Sequence, residues 1–215
     1  MGKPAHPNPG VRVKIYLVRH GETDANRDGR FQGASDAPIN TTGRRQAKAL
    51  GDRLKMHSID AVYSSPQTRA RETATPIARG HDLDIISMDG LRELDIGELD
   101  GLKGADLRQR YPEVLAQWIK DVGSLRLPGG ESIRELQQRA WAAVEEIKDR
   151  HPQGNVVVVS HNFAIQSILC KALALDLTSF RRIRHDLGAI SVLSFEKGES
   201  MLISLNDRCH LEEVT

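Results

Sequence analysis

The amino-acid sequence predicts an α/β protein, a three-layer α/β/α sandwich with a mostly parallel sheet, one antiparallel edge strand and an inserted helical cap. Three observations lead to this prediction. Strand-like and helix-like patterns alternate along most of the chain. Two apolar runs, at 11–18 and 156–159, have the composition of buried parallel strands. The segment from about 89 to 130 interrupts the alternation, and an insertion there would cover the ends of the strands.

Local patterns predict each element in turn. After the strand at 11–18 comes a polar loop, then a helix from Thr42 with its apolar residues on one face. Ser65-Pro66 predicts the next helix start, because serine caps free amides and proline fits the first turn. Ser132 and Glu135 form a capping box before a long amphipathic helix. The other predicted elements are strands at 61–63, 83–88, 156–159, 189–195 and 201–205, the last two forming an edge hairpin, and a helix at about 163–173.

Composition excludes several classes of protein. The 215 residues suit one α/β domain, expected to span 11–215 after a flexible tail at 1–10. The 30 basic and 29 acidic side chains leave a net charge of +1, which argues against nucleic-acid and membrane partners. Two cysteines are too few for a disulfide framework, and no segment resembles a signal peptide or membrane anchor. We therefore expect a cytoplasmic protein.

Histidines follow two of the predicted strands. Arg19-His20 ends the first strand, and His161-Asn162 follows the run at 156–159. Open parallel sheets bind ligands outside the carboxyl ends of their strands, so both histidines should face one crevice. A neutral His20 could attack phosphorus in line while Arg19 neutralises the phosphoryl oxygens. The pattern therefore favours phosphate chemistry.

Further side chains could complete such a site. Arg69 lies near the start of its predicted helix, where its guanidinium and the helix dipole can address the same anion. His161, if protonated among phosphate oxygens, would add a third cation. The leaving alkoxide needs a proton donor, and Glu93, Asp95 and Glu98 all follow a predicted strand. Spacing alone leaves the choice among these carboxyls open.

Other kinds of site fit the sequence less well. Neighbouring arginines would repel a metal ion at the two histidines, and no H-x-x-x-H or C-x-x-C spacing occurs. No glycine-rich dinucleotide or P-loop motif follows a strand. The basic cluster at 181–185 is interpreted as a solvated helix end. Phosphoryl chemistry without cofactor or metal is the interpretation that remains.

Blocks of sequence along nearly the whole chain after the tail carry a family resemblance. They are 17–23, 31–33, 63–74, 91–97, 128–132 and 158–161. In these blocks the chain resembles the histidine phosphatase superfamily, the phosphoglycerate mutase-like group. Within that group it is most similar to small phosphatases of the cobalamin pathway and to metal-independent phosphoserine phosphatases.

The resemblance implies a role for each candidate residue. The implied catalytic set is His20 as the phosphorylated nucleophile, Arg19, Arg69 and His161 as the phosphate pocket, and Glu93 as proton donor and later base for water. The implied substrate-binding set is Asn26, Gln32, Gly33 and Asn162. We therefore expect a metal-independent phosphomonoesterase acting on a phosphorylated small molecule; homodimer formation stays open.

Departures from the family pattern leave the substrate open. The stretch 97–101 lacks the tryptophan common between its glycines, Asn162 stands where glycine is frequent, and Ile96 replaces a histidine typical of phosphoserine-specific enzymes. One alternative is a 2,3-bisphosphoglycerate-dependent phosphoglycerate mutase, although the segment 89–130 is shorter than in such mutases and has no paired arginines. Another is a non-catalytic anion-binding regulatory homologue, which would be expected to have lost part of the catalytic set; this chain keeps all of it.

Overall fold

The computed structural model describes residues 12–123, 125–212 and 214, so the tail predicted at 1–10 lies outside the described residues. The strands are β1 Arg12–Arg19, β2 Ala61–Ser64, β3 Ile85–Ser87, β4 Gln153–Ser160, β5 Ile190–Glu196 and β6 Glu199–Asp207. The α-helices are α1 Asp24–Arg27, α2 Thr41–Leu54, α3 Thr68–Arg79, α4 Gly104–Arg110, α5 Pro112–Lys120, α6 Ile133–Arg150 and α7 Asn162–Ala172. Short 3₁₀ helices lie at Asp89–Leu91, Gly97–Leu99, Leu177–Arg182 and Cys209–Leu211.

The described strands form one sheet in the order β3-β2-β4-β1-β5-β6. The pairs β1–β4, β4–β2 and β2–β3 are parallel, whereas β5 runs antiparallel to β1 and pairs with β6 in an antiparallel hairpin. Lys197 and Gly198 form the hairpin turn with φ values of 54° and 83°, the left-handed conformation that tight hairpins favour. The predicted fold class, including its antiparallel edge, is confirmed.

Helices cover both faces of the sheet. On one face, Val13, Ile15 and Leu17 of β1 pack into a core with α6, α7 and the cap. On the other, Tyr16 and Val18 pack against α2 and α3. Successive side chains of a strand point to opposite faces, so β1 contributes to both cores. One layer of helices on each side of the central sheet makes three layers, which is the predicted sandwich.

The helix α3 begins later than Ser65-Pro66 predicts. Its first residue is Thr68, and the Gln67 side chain makes no capping bond. Thr68 N instead donates to Asp36 Oδ1 at 2.7 Å, and the Thr68 hydroxyl donates to Asp36 Oδ2 at 2.6 Å. The cap therefore comes from a carboxylate 32 residues away along the chain. Ser65 Oγ accepts a bond from Gln67 N, so the serine shapes the turn before the helix.

The cap segment between β3 and α6 contains α4, α5 and two 3₁₀ turns, in agreement with the predicted helical insertion. Both bonds of the predicted Ser132–Glu135 capping box are present at the start of α6. The Ser160 hydroxyl donates to the carbonyl of Leu91 at 2.7 Å. This bond fixes the beginning of the cap segment to the end of β4. No helix in the described ranges is long and apolar enough to cross a membrane.

Candidate active site

The ends of β1 and β4 place two histidines side by side. Arg19 pairs with Ser160 in the parallel register, and the next backbone amide, His20 N, donates to Ser160 O at 3.0 Å. The ring centroids of His20 and His161 are 5.1 Å apart, with the planes inclined at 55°. Both side chains are buried. The structure thus brings the two histidines together at one edge of the sheet.

One hydrogen bond fixes the protonation of His20. Its Nδ1 lies 2.8 Å from the carbonyl oxygen of Gly21. Because a carbonyl only accepts, Nδ1 carries the proton and Nε2 keeps its lone pair. Burial and the charges of Arg69 and Arg19 lower the pKa of His20 well below its ordinary value of 6.5. The ring is therefore neutral near pH 7 with Nε2 ready to act as a nucleophile.

His161 is held in the opposite tautomer. Arg69 Nε donates to His161 Nδ1 at 3.2 Å, so the ring proton lies on Nε2. That Nε2 is buried and has no hydrogen-bond partner. Burial, with the charge of Arg69, lowers the pKa of His161 well below 6.5. The ring is thus neutral, with the proton on Nε2, and the role of His161 as a third cation among phosphate oxygens stays a prediction.

Arg69 is fully buried in the first turn of α3. Besides its bond to His161, it donates to the carbonyls of Gly33 and Ser35 at 2.9 and 2.8 Å. All three acceptors are neutral groups. Within the described residues the guanidinium is therefore held in place by neutral acceptors, which leaves its charge available to an anion.

Arg19 is oriented by two acceptors on the other side of the site. Its Nη1 donates to the His185 carbonyl at 2.7 Å and to Asn162 Oδ1 at 3.3 Å. Its Nε is buried and has no hydrogen-bond partner. Buried N–H groups without acceptors are costly, and the oxygens of an anion would satisfy both Arg19 Nε and His161 Nε2.

Glu93 brings a buried carboxyl to the same place. It accepts hydrogen bonds from the amides of Leu94 at 2.8 Å and of Phe163 and Ala164, in the first turn of α7, at 3.3 Å each. Burial raises the pKa of Glu93 above its ordinary value, although the amides of Leu94 and Phe163 and the charges of Arg69 and Arg19 oppose the shift. A raised pKa keeps a proton on the carboxyl to higher pH, which is what a general acid needs.

The other two carboxyl candidates bind elsewhere. Asp95 Oδ1 accepts from Gly97 N at 3.0 Å, and Glu98 Oε2 accepts from the Tyr111 hydroxyl at 3.0 Å. Neither forms a hydrogen bond to α7, where Glu93 meets the turn that carries His161. The geometry therefore favours Glu93 as the proton donor.

The four predicted substrate-binding residues differ in the contacts they make, and their role in binding substrate stays a prediction. Asn162 contacts Arg19, and the Gly33 carbonyl accepts from Arg69. Asn26 and Gln32 instead have their side-chain oxygens 3.0 and 2.9 Å from the Thr23 hydroxyl. These hydrogen bonds organise the loop after β1, and Asn26 also lines a surface cavity together with Arg19.

Two further residues escaped the sequence analysis. The Gln67 side chain donates to Gly33 O at 2.9 Å and accepts from Glu93 N at 3.0 Å. It therefore links Glu93 to the Gly33 carbonyl that accepts from Arg69. Gln67 lies in the block 63–74 that carries the family resemblance, and this position was the one sequence signal that could have pointed to it. His185, assigned to a solvated basic cluster, is buried, and burial lowers its pKa to about 3. A run of basic residues cannot show which member turns inward.

Two neutral histidines in complementary tautomers, two arginines and a buried carboxyl form a site of the class that handles phosphoryl groups, on a three-layer α/β fold. Residues 15–208 match the family model of the histidine phosphatase superfamily (branch 1). The chain belongs to the histidine phosphatase superfamily.

Similar proteins fall on both the phosphatase and the mutase side of this family. Phosphoserine phosphatase 1 of Hydrogenobacter thermophilus is 35% identical over 201 residues, 94% of this chain and 95% of that protein. A probable phosphoglycerate mutase, GpmB of Salmonella choleraesuis, is 35% identical over 188 residues, 87% of each chain. The solved structure of Bacillus stearothermophilus YhfR has a TM-score of 0.87 at 30% identity, covering 93% of this chain and 100% of that one. Together they support phosphatase activity and single out no substrate.

Proposed function

We propose that this protein is a metal-independent phosphomonoesterase that hydrolyses a small-molecule phosphate through a phosphohistidine on His20, with Glu93 as the proton donor. One observation carries the proposal. The free Nε2 lone pair of His20 lies in the same site as two buried N–H donors without partners, His161 Nε2 and Arg19 Nε. A phosphoryl group matches this arrangement, because its phosphorus accepts the lone pair and its oxygens accept the donors.

In the first step, His20 Nε2 attacks phosphorus opposite the ester oxygen, so that a P–N bond forms as the P–O bond breaks. The guanidinium groups of Arg19 and Arg69 and the N–H of His161 stabilise the phosphoryl oxygens as charge shifts. Glu93 gives its proton to the departing oxygen, and the alcohol leaves. The bond from Nδ1 to the Gly21 carbonyl stabilises the positive charge of the phosphorylated ring.

In the second step, the Glu93 carboxylate takes a proton from water as the water oxygen attacks phosphorus. The P–N bond breaks, inorganic phosphate leaves, and His20 returns to its neutral form with Glu93 protonated. The same carboxyl therefore serves as acid and then as base, and each half-reaction restores what the other needs.

Glu93→Gln is expected to slow phosphorylation by alkyl phosphates much more than by p-nitrophenyl phosphate. An alkoxide must be protonated to leave, whereas nitrophenolate with its low pKa needs little help. We expect a loss on the order of 10²-fold or more for the alkyl ester in single-turnover measurements that isolate this step. Equal slowing of both esters would remove Glu93 from the role of acid.

The pH profile of kcat/KM should report the two groups whose pKa values are shifted, His20 and Glu93. His20 must be neutral to attack, and its lowered pKa places the acid limb well below pH 6.5. Glu93 must be protonated, and its raised pKa places the alkaline limb above the ordinary carboxyl range. Arg19→Gln removes a charge that lowers the His20 pKa, so its acid limb should move to higher pH. An acid limb at or above pH 6.5 in the wild type would contradict this assignment.

Hydrolysis is expected to exceed isomerisation. A mutase needs extra cations for a second anionic group on its substrate, and two arginines of the cap segment already form salt bridges with carboxylates: Arg92 with Asp89, and Arg126 with Glu135. The test is incubation with 3-phosphoglycerate and catalytic 2,3-bisphosphoglycerate, following 2-phosphoglycerate and free phosphate. Faster isomerisation than phosphate release would favour the mutase.

Phosphate release is expected to keep its full rate in the presence of EDTA, because side chains supply the charges of the proposed mechanism. Loss of activity that zinc or magnesium restores would contradict metal independence.

A further inference from the structure

An apolar cavity of about 120 Å³ lies beneath the cap. Nine side chains line it, and every one is apolar. They come from the loop before α2, the 3₁₀ turn at Gly97–Leu99, the cap helices α4 and α5, the strand-like segment before α6, and the first turn of α7. Chain segments far apart in sequence thus converge on one cavity without contributing a charged side chain.

Two of the residues that line the cavity also contact residues of the catalytic centre. Phe163 lines the cavity, and its amide is one of the donors that hold the Glu93 carboxyl. Ile96 also lines it and packs directly over Gly33, whose carbonyl accepts from Arg69: a Cβ built on Gly33 would meet Ile96 Cγ1 at 2.6 Å. The two residues thus join the cavity wall to the groups that hold Glu93 and Arg69, and the alcohol protonated by Glu93 would leave on this side of the site.

A cluster of aromatic rings forms the wall toward the cap. Trp118 of α5 and Phe163 pack edge to face with centroids 5.8 Å apart, and Phe180 lies 5.9 Å from each. Phe180 is buried, whereas Trp118 and Phe163 are half-buried and line the cavity. This packing fixes rigid apolar surface next to the acid.

A charged leaving group would find no partner in the cavity. Carboxylate or ammonium groups, as in phosphoserine or phosphoglycerate, lose hydration when buried and need a counter-charge or hydrogen bonds in return. Among the described residues, no basic or acidic side chain lines this cavity. An alkyl or aromatic group gains free energy at the same place.

Resting on the proposed function, we infer that the preferred substrates are phosphomonoesters whose alcohol carries an apolar alkyl or aromatic group, and that this group binds in the cavity lined by Ile96, Leu115 and Phe163. The cavity is the specificity-determining part of the site: the phosphoryl group binds to the histidines and arginines, and the apolar part of the alcohol packs beneath the cap.

The test compares kcat/KM for methyl, butyl and hexyl phosphate with that for phosphoserine. Leaving-group pKa hardly changes along the alkyl series, so chain length reports apolar contact alone. We expect kcat/KM to rise by up to about fourfold for each methylene that the cavity holds. Hexyl phosphate should exceed phosphoserine by more than about tenfold. A flat alkyl series, or preference for phosphoserine, overturns the inference.

Matched variants test whether the dependence of kcat/KM on chain length arises in this cavity. Ile96→Asn and Leu115→Asn place an amide in the cavity wall, and each should lower the hexyl-to-methyl ratio of kcat/KM at least about fivefold. Leu115 is half-buried on α5, so its replacement is tolerated by the fold better than that of the buried Ile96. Ile119→Asn is the control, because Ile119 is exposed on the same helix and does not line the cavity. An unchanged ratio in Leu115→Asn overturns the assignment of the cavity.

The outcomes separate this inference from the function on which it rests. Hydrolysis that depends on His20 but shows no dependence on chain length overturns the cavity assignment and leaves the phosphatase intact. If no monoester in the series releases phosphate, the proposed function fails, and the inference fails with it.

Discussion

Replacement of His20 by alanine is expected to abolish turnover of every phosphomonoester, with a loss in kcat on the order of 10⁴-fold or more. The remaining arginines and His161 would still be available to an anion, but the Nδ1 lone pair of His161 already accepts from Arg69 and cannot attack phosphorus. Steady-state phosphate release from the purified variant provides the measurement. Activity within tenfold of wild type would remove His20 from the role of nucleophile.

The same variant should remain folded, which a pH series of unfolding measurements can show. The pKa of His20 is lowered by folding, so the unfolded chain binds more protons below pH 6.5 and the native state loses stability as the pH falls through that range. His20→Ala removes this penalty. Its free energy of unfolding should therefore fall less steeply than that of the wild type below pH 6.5. A variant that is unfolded at neutral pH would make its inactivity uninformative about chemistry and is not expected.

Arg69→Ala is expected to reduce kcat/KM by about 10² to 10³-fold, the usual effect of losing one preorganised donor to a developing charge. Arg69 is buried and contacts Gly33, Ser35 and His161, so its loss removes the guanidinium proposed to bind phosphate and frees the His161 ring. The measurement is kcat/KM for one alkyl phosphate, with inhibition by inorganic phosphate measured in parallel.

The control for this change lies two residues away. Arg71 is exposed on the same helix, and Arg71→Ala should keep activity close to wild type. Arg69→Lys keeps the charge but loses the fork of donors, so we expect an intermediate rate. A loss below threefold in Arg69→Ala would place Arg69 outside the phosphate site.

The sequence predicted those elements whose signals are local. The valines of β4 and the apolar run of β1 define central strands, and Ser132 with Glu135 defines the start of α6. The start of α3 was predicted too early because its cap is Asp36, a residue from a separate loop. The strand β3 covers only Ile85–Ser87, within the longer segment predicted, because only these residues pair with β2.

In the candidate site, too, the features with local signals were predictable and those that depend on distant contacts were not. Histidines at the ends of two parallel strands could be expected to meet, since the sheet itself aligns them. Three features could not be expected, because each depends on contacts between distant segments. They are the tautomer of His161, set by Arg69; the bridge that Gln67 makes between Gly33 and Glu93; and the burial of the His185 side chain. The apolar cavity is a fourth such feature.

The most direct test of the central claim is rapid-quench trapping with a substrate labelled at phosphorus. At times shorter than one turnover, the wild-type protein should carry label in a form that acid releases and base preserves, as a phosphohistidine does. His20→Ala should carry none, and Arg71→Ala should match the wild type. An undiminished signal in His20→Ala, or phosphate release from the wild type without any labelled protein at times shorter than a turnover, would contradict a phosphohistidine mechanism on His20.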